Sequence, residues 1–200
     1  MQLTRRHLLA ALPSLGAAGL GLGFIRMLHG LDRGQFDPRA INTPLTGQPV
    51  PEFPALSSLP GQARLTREDF RTMTQPVLLS VWASWCLPCV EEIPFISQLA
   101  ASLAAPRKKR DAPLALWGLC YKDQPASASR WLERAGQPFT RLGLDQDGQA
   151  AIEWGVTGVP EAFLIMPDPQ MGGRIVWHGT GGLTEAVYQT RVVPHLEAAP

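Results

Sequence analysis

The sequence predicts an α/β fold in which a central mixed sheet is flanked by helices. Apolar runs of strand length over residues 77–83 and 114–121 show no polar alternation, which is typical of central strands covered on both faces. Helical stretches separate the strands along the chain, as in folds whose neighbouring strands run parallel. Two further strands, 161–166 and 174–178, are close enough in sequence to form an antiparallel hairpin, so the sheet is expected to be mixed.

The remaining elements follow in chain order. Thr66 and Asp69 have the spacing that caps the start of a short helix. A weaker strand is expected over residues 139–144. The other helices are predicted at about 86–105, 125–135, 149–154 and 184–196. Because proline lacks a backbone donor, we expect Pro94 to kink the first of these and Pro194 to end or distort the last.

Composition excludes several classes of function. The 200 residues carry 18 basic and 17 acidic side chains, a formal net charge of +1. This balance argues against nucleic acid binding, which requires a basic face, and against an acidic disordered tail. Apolar residues make up 45% of the chain, enough for one packed core. The three cysteines are too few for a disulfide scaffold, and their odd number leaves at least one thiol free or reactive.

The N-terminal segment has the pattern of a targeting sequence. Arg5 and Arg6 precede an apolar run over residues 8–28 in which Arg26 is the only charge, and the pair is similar to a twin-arginine export signal. The run approaches the length of about 20 apolar residues that spans a bilayer. No convincing cleavage site follows it, which favours an uncleaved anchor over a cleaved signal. Basic residues before the span place the N-terminus in the cytoplasm and the rest of the chain outside.

The sequence therefore divides into three parts. Residues 1–30 are interpreted as a signal or membrane anchor. Residues 31–61 are rich in proline and lack a helical period, so they form an extended tether that ends by lying along the domain. Residues 62–200 form one compact α/β domain.

Two cysteines stand where a central strand stops and a helix begins. Cys86 and Cys89 are separated by two residues and can close a small disulfide ring. Cys86 faces the free N–H groups of the first helical turn, which together with the helix dipole stabilise a thiolate and lower its pKa from about 8.5. This predicts that Cys86 is the nucleophile. The less exposed Cys89 is expected to resolve a mixed disulfide by attacking the Cys86 sulfur.

A pair of cysteines at this spacing is also half of a zinc site. The other half is missing from the sequence, because Cys120 stands alone and His178 and His195 are not spaced as a pair of ligands. We therefore expect no metal at the cysteine pair.

Three motifs occur together in the chain. Trp-Cys-x-x-Cys follows an apolar strand, Pro94 lies five residues beyond the second cysteine, and Gly-Val-Thr-Gly-Val-Pro-Glu at 155–161 precedes a strand. These motifs resemble the thioredoxin superfamily. With Tyr-Lys-Asp at 121–123 they more narrowly resemble the membrane-anchored CcmG/DsbE family of cytochrome c maturation. The resemblance covers residues 38 to about 190. It implies a thioredoxin-like fold and a protein-disulfide reductase in the periplasm, anchored in the bacterial inner membrane.

The resemblance also implies partners. Electrons would cross the membrane from a CcdA- or DsbD-type protein and pass to the heme-site cysteines of apocytochrome c, directly or through a CcmH-type partner. The redox group is the Cys86–Cys89 disulfide itself, so no bound cofactor is expected, and no nucleic acid partner is expected either.

Substrate contacts are implied on the same basis. In the superfamily the bond that matches Val159–Pro160 is cis, which places the Val159 backbone beside the reactive disulfide, where it pairs with an extended substrate strand. We expect Trp85, next to Cys86, to contact the substrate and Trp82 to pack in the core.

Two carboxylates are candidates for proton transfer. Glu92 lies three residues after Cys89 and therefore on the same helix face, and Glu161 follows the expected cis-proline. Together they would make an acidic site that accepts the Cys89 proton and raises nearby thiol pKa values. The alternative is that both are surface charges, as expected for Glu91.

The sequence departs from the family at two positions. Ser80 stands where thioredoxins carry a buried aspartate, so Glu92 becomes more necessary for proton transfer. Cys120, at the end of a buried strand, is expected to be an inert small apolar residue, with a regulatory disulfide as the alternative.

Two other functions remain open. The first is a general TlpA-like periplasmic disulfide reductase. In the sequence, only the Pro-Glu and Tyr-Lys-Asp motifs favour the cytochrome c role over this function. A thioredoxin-fold copper-binding or delivery module would use the same cysteines as Cu(I) ligands, although no histidine lies between residues 30 and 177.

Overall fold

The chain consists of two units. In the computed structural model, residues 19–26, 45–105 and 114–198 are described. The units are Met1–Ala40 and Ile41–Pro200, and the second contains the sheet and both reactive cysteines.

Little of the N-terminal unit belongs to the described residues. Residues 19–26 are helical (α1) and carry exposed apolar side chains, among them Leu20 and Phe24. Within the described residues, no helix has both the length and the apolar character needed to span a membrane. Most of the predicted anchor and the first part of the predicted tether, residues 31–44, lie outside the described residues. The anchor therefore stays a prediction.

The second unit is built on a five-stranded mixed sheet, as predicted. The strands are β1 Val77–Trp82, β2 Ala115–Tyr121, β3 Arg141–Asp145, β4 Glu161–Met166 and β5 Arg174–Thr180. Their order across the sheet is β3-β2-β1-β4-β5. The pairs β1–β2 and β2–β3 are parallel, whereas β4 is antiparallel to both β1 and β5. Every strand predicted from the sequence is present.

The helices also follow the predicted order. They are α2 Arg67–Thr72, α3 Leu87–Glu91, α4 Ile93–Ala104, α5 Pro125–Arg134, α6 Gln149–Glu153, α7 Glu185–Val187, a π-helical turn Tyr188–Val192, and α8 Val193–Glu197. At the start of α2, Thr66 and Asp69 form the predicted capping box, each side chain bonding the backbone of the other.

Proline interrupts the two longest predicted helices. The first breaks at Glu92, between α3 and α4, because Pro94 has no N–H for the carbonyl four residues earlier. The second is divided by the π-helical turn, and Pro194 sits in the first turn of α8, where no donor is required. Both distortions confirm the predictions made from the sequence.

The sheet buries an apolar core on each face. Alternate residues of β1 point to opposite sides, so Leu78 and Trp82 pack in one core and Leu79 packs in the other. We call these the cysteine-side core, which contains Cys86 and Cys89, and the opposite core, which contains Phe70, Trp154 and Phe163.

The segment before α2 covers both edges of the sheet. The Gly47 N–H donates to the Ile175 carbonyl of β5 at 2.8 Å. At the other edge, the Leu144 N–H of β3 donates to the Ser57 carbonyl at 2.8 Å. Leu56 is buried between these contacts. The described part of the predicted tether thus lies along the domain and satisfies edge groups that would otherwise pair with other chains.

Candidate active site

The two cysteines of the Cys-x-x-Cys motif form a disulfide at the start of α3. Their Cα atoms are 5.3 Å apart. Cys86 is the N-cap residue, and its sulfur accepts a hydrogen bond from the Cys89 N–H at 3.2 Å. Cys86 keeps 5% of its surface exposed, whereas Cys89 is completely buried. The sulfur at the helix start is therefore both the more accessible one and the one whose thiolate the N–H donors stabilise.

The bond between Val159 and Pro160 is cis, as the resemblance implied. The Val159 carbonyl oxygen lies 3.4 Å from the Cys86 sulfur, close enough to accept a hydrogen bond from the thiol of the reduced form. The Pro160 carbonyl accepts a hydrogen bond from Gly181 at 2.9 Å, just after β5. The loop before β4 thus presents backbone groups directly beside the reactive disulfide.

Glu161 is buried immediately after the cis-proline. Its Oε1 accepts hydrogen bonds from the Thr157 N–H at 2.9 Å, the Thr157 hydroxyl at 2.6 Å and the Gly158 N–H at 3.0 Å. Its Oε2 lies 2.8 Å from His178 Nε2. Burial on its own raises the pKa of Glu161, but the hydrogen bonds from His178 and Thr157 outweigh it, so the pKa is lowered overall.

Glu92 occupies a different environment, at the break between α3 and α4. Its Oε2 accepts a hydrogen bond from the Leu183 N–H at 2.8 Å. Its Oε1 is buried and has no hydrogen-bond partner among the described residues. Burial raises the pKa of Glu92 to about 7, against the opposing effect of the Leu183 hydrogen bond. Glu92 can therefore gain or lose a proton near neutral pH.

The predicted single acidic site is not what the structure shows. Glu161 lies on the same side of β4 as Phe163, in the opposite core, and its partner His178 stacks on the Phe163 ring at 4.1 Å. Glu92 bonds to Leu183, which belongs to the cysteine-side core. The pleat of β4 thus directs Glu161 to the opposite face of the sheet from Glu92, which the break between α3 and α4 places on the cysteine side. The alternative of surface charges is wrong as well, because both are buried.

Two exposed apolar side chains flank Cys86. Trp85 is 59% exposed and Leu87 is 69% exposed. The Trp85 indole N–H donates to the Lys122 carbonyl at 3.1 Å, which fixes the ring while leaving much of its surface in solvent. Trp82, by contrast, is fully buried and stacks on Trp131 with ring centroids 4.0 Å apart. Trp82 is a core residue, as expected, and the contact role of Trp85 stays a prediction.

Asp123 supports the loop that carries the cysteines, a role that the sequence did not predict. Its carboxylate accepts hydrogen bonds from the Ser84 N–H and, at 3.0 Å, from the Ser84 hydroxyl, and it also binds the Gln124 N–H at 2.7 Å. The sequence signal is the Tyr-Lys-Asp motif at 121–123, which by itself indicates only the family. An acidic residue directly after a buried strand could have been assigned to bind the neighbouring loop.

Cys120 is buried beside this aspartate, with its sulfur 3.7 Å from Asp123 Oδ2. Burial first, and then the negative charge of Asp123, raise the pKa of the thiol far above its usual range. The reactive thiolate is therefore not populated at neutral pH, in agreement with the expected inert role.

His178 is the second site residue that sequence reasoning missed. Its spacing from His195 argues against a zinc site, and the structure shows that it bonds to Glu161 across the β4–β5 pair instead. The signal was the predicted hairpin, since strands 161–166 and 174–178 must bring some residue of β5 beside Glu161. Which residue it is depends on the register, and the register shifts between Leu164 and Ile165.

A thioredoxin-like sheet with a Cys-x-x-Cys disulfide facing a cis-proline defines a thiol-disulfide oxidoreductase. The AhpC/TSA family model matches residues 46–172. The thiol:disulfide interchange protein DsbE of Escherichia coli (strain K12) is 34% identical over 158 residues, which are 79% of this chain and 77% of that protein. The chain belongs to the AhpC/TSA family and, within it, to the DsbE thiol:disulfide interchange proteins, as its motifs predicted.

Other relatives extend the similarity along the chain. The thiol:disulfide interchange protein CycY of Rhizobium leguminosarum bv. viciae is 33% identical over 194 residues, covering 97% of this chain and 96% of the relative. HelX of Rhodobacter capsulatus, with the same description, is 36% identical over 186 residues, 92% and 93% of the two chains. A crystal structure described as DsbE from Chlorobium tepidum superposes with a TM-score of 0.56 at 25% identity and covers 76% of this chain and 97% of that one.

The buried state of Glu92 predicts a specific pH dependence of stability. Folded Glu92 keeps its proton up to about pH 7, whereas an unfolded glutamate releases it near 4.5. The folded state thus binds the extra proton between these values, and stability from this group is lost as pH rises through the window. Glu92→Gln removes the effect. The free energy of unfolding of the oxidised protein is measured in urea at a series of pH values. Between pH 4.5 and 7, the difference in this free energy between variant and wild type should shift in favour of the variant by on the order of 3 kcal/mol.

Glu91→Gln is the matched control, because it removes the same charge from the exposed neighbouring residue. If the free energies of unfolding of both variants show the same pH dependence, the effect is one of net charge, and the assigned environment of Glu92 is wrong.

Proposed function

We propose that the protein is a periplasmic protein-disulfide reductase, held at the inner membrane by its N-terminal segment, that reduces apocytochrome c before heme attachment. The observation that carries the reductase chemistry is the asymmetric cysteine pair. An accessible sulfur lies at a helix start beside the Val159 carbonyl, and a buried sulfur lies behind it. The compartment, the anchor and the cytochrome substrate rest on the sequence pattern and on the CcmG/DsbE resemblance.

The reaction begins from the reduced cysteine pair. The Cys86 thiolate attacks one sulfur of a substrate disulfide, so a mixed disulfide forms and the other substrate sulfur leaves as a thiolate. Cys89 then loses its proton and attacks the Cys86 sulfur, which releases the second substrate thiolate. The substrate gains two electrons, and the Cys86–Cys89 disulfide seen in the structure is the oxidised product.

Glu92 is the proposed acceptor of the Cys89 proton. It follows Cys89 by three residues at the end of α3, it lies on the cysteine side of the sheet, and its Oε1 has no hydrogen-bond partner among the described residues. A pKa of about 7 suits a group that must take up a proton and release it again at neutral pH. Ser80 lies buried on the same side of β1 as Leu78 and supplies no carboxylate for this purpose.

Substrate binding is proposed for the groups around Cys86. The exposed rings and methyl groups of Trp85 and Leu87 offer apolar contacts on one side of the sulfur. The backbone of Val159, which precedes the cis-proline Pro160, offers hydrogen-bonding groups beside the sulfur that suit an extended segment of polypeptide. Glu161 lies behind this loop and holds it rather than facing the cysteines.

The proposed partners complete the cycle. A CcdA- or DsbD-type membrane protein would reduce the Cys86–Cys89 disulfide, and apocytochrome c or a CcmH-type protein would receive the electrons. A general TlpA-like reductase has the same chemistry with a broader set of substrates, so trapped substrates distinguish the two functions.

Cys89→Ala should trap substrates as mixed disulfides on Cys86, because the resolving thiol is gone. Expressed in a bacterium that makes c-type cytochromes, the variant is expected to accumulate adducts that contain apocytochrome c or a CcmH-type protein. The measurement is mass spectrometry of the adducts after acid quenching and purification under non-reducing conditions.

Two controls accompany the trapping experiment. Adducts should persist in Cys89→Ala combined with Cys120→Ala, and they should vanish when Cys86 is also replaced by alanine. A broad set of unrelated exported proteins would replace the cytochrome role with that of a general reductase.

Glu92→Gln should slow the resolution step without slowing the first attack. Because general base catalysis typically contributes 10²–10⁴-fold, we expect the second phase of single-turnover peptide reduction to slow by about a hundredfold and to lose its dependence on pH near 7. Stopped-flow mixing of the reduced protein with an oxidised peptide separates the two phases. Glu91→Gln should keep both rates, and an unchanged second phase in Glu92→Gln would remove Glu92 from the mechanism.

A further inference from the structure

A continuous set of hydrogen bonds leads from β5 to the loop beside the disulfide. His178 Nε2 lies 2.8 Å from Glu161 Oε2, and because an ionised carboxylate only accepts hydrogen bonds, the imidazole is the donor. Glu161 Oε1 accepts from the N–H and hydroxyl of Thr157 and from the Gly158 N–H. Thr157 and Gly158 directly precede Val159. Every one of the three loop donors is thus fixed through a single carboxylate.

The far end of this set is buried and closely packed. The side chains of His178 and Glu161 are 1% and 2% exposed, so water has almost no access to the pair. The imidazole ring is stacked on the Phe163 ring with an angle of 4° between the planes. Because a buried carboxylate that loses a partner bears a desolvation penalty, Glu161 is expected to move toward new donors if His178 is removed.

The near end of the set lies in contact with the reacting atoms. The Val159 carbonyl oxygen is 3.4 Å from the Cys86 sulfur, and a small displacement of Thr157 or Gly158 would carry it away. Exchange requires three sulfur atoms to align, and misplacement by about 1 Å can cost a reaction up to a hundredfold in rate.

We infer that His178 is a positioning residue for thiol-disulfide exchange, which orients Glu161 so that the loop of Thr157 to Pro160 holds a polypeptide substrate against Cys86. The inference rests on the exchange activity contained in the proposed function, and on neither the direction of electron flow nor the compartment. It assigns Glu161 a positioning role too, with its carboxylate binding loop donors instead of accepting the Cys89 proton.

The test compares two disulfides of different size. A short peptide closed by a Cys-x-x-Cys disulfide needs the loop backbone for binding, whereas a small aromatic disulfide needs only access to the Cys86 sulfur. His178→Phe keeps the stacking ring and removes the nitrogen that bonds Glu161. We expect the single-turnover rate of the reduced full-length variant to fall about ten- to a hundredfold with the peptide and to stay close to wild type with the aromatic disulfide.

Rescue and matched variants make the result specific. His178→Gln retains an N–H donor and should recover most of the peptide rate. His195→Phe makes the same substitution at an exposed position of α8 and should leave both rates unchanged. Thr157→Val removes one loop donor while keeping His178, so it should lower the peptide rate selectively even if His178→Phe fails to fold.

A direct structural readout accompanies the kinetics. Amide hydrogen exchange at Thr157 and Gly158 should accelerate in His178→Phe and return toward wild type in His178→Gln. Peptide rates that equal wild type in His178→Phe and Thr157→Val, or that fall together with the aromatic disulfide rate, would overturn the inference. A wild-type protein that reacts with neither disulfide would instead contradict the exchange activity, and the amide measurement would still judge the role of His178.

Discussion

The site depends on the antiparallel pairing of β1 with β4. In this register Val81 lies opposite Glu161, so the end of β1 is beside the start of β4. Cys86 follows β1 and Val159 precedes β4. The 3.4 Å distance between the Cys86 sulfur and the Val159 carbonyl oxygen is a direct result of this pairing. Had β4 run parallel to β1, the cis-proline would lie at the other end of the strands, away from the cysteines.

The same sheet separates the functions of the two buried carboxylates. Glu161 is surrounded by donors that stabilise its charge, and its lowered pKa keeps it ionised, which suits a group that holds a loop. Glu92 has one backbone donor and one buried oxygen without a partner among the described residues, and its pKa of about 7 suits proton transfer. Two residues with the same side chain thus acquire different chemistry, because Glu161 starts a strand on one side of the sheet and Glu92 lies at a helix break on the other.

The loop before the cysteines and the loop before β4 are supported independently. Asp123 binds Ser84 on one side of the disulfide, whereas Glu161 binds Thr157 on the other. In each case a buried carboxylate satisfies backbone N–H groups of an irregular segment that has no strand or helix partner. Both sides of Cys86 are thereby held in place before a substrate arrives.

Much of this arrangement was predictable from local sequence. Apolar runs identified the strands, Pro94 and Pro194 indicated the helix distortions, and the spacing of Cys86 and Cys89 defined the reactive pair. The cis bond at Pro160 required the family resemblance, because the sequence around a proline does not determine its isomer.

The contacts between distant segments were not predictable. Glu92 meets Leu183 across 91 positions of sequence, and Glu161 meets His178 only in the register that the β4–β5 pair adopts. The face that Glu161 occupies depends on its register with β1, where it pairs with Val81 of the opposite core, so it does not share an acidic site with Glu92.

The reduction potential of the Cys86–Cys89 pair tests the central claim most directly. A strong oxidant stabilises its reduced thiolate, whereas a buried acidic residue on the cysteine side disfavours added negative charge and so favours a reductant. Equilibration with glutathione buffers, read by the alkylated fraction of Cys86, should give a potential closer to the about −270 mV of thioredoxin than to the about −120 mV of DsbA. A value close to that of DsbA would contradict the reductase.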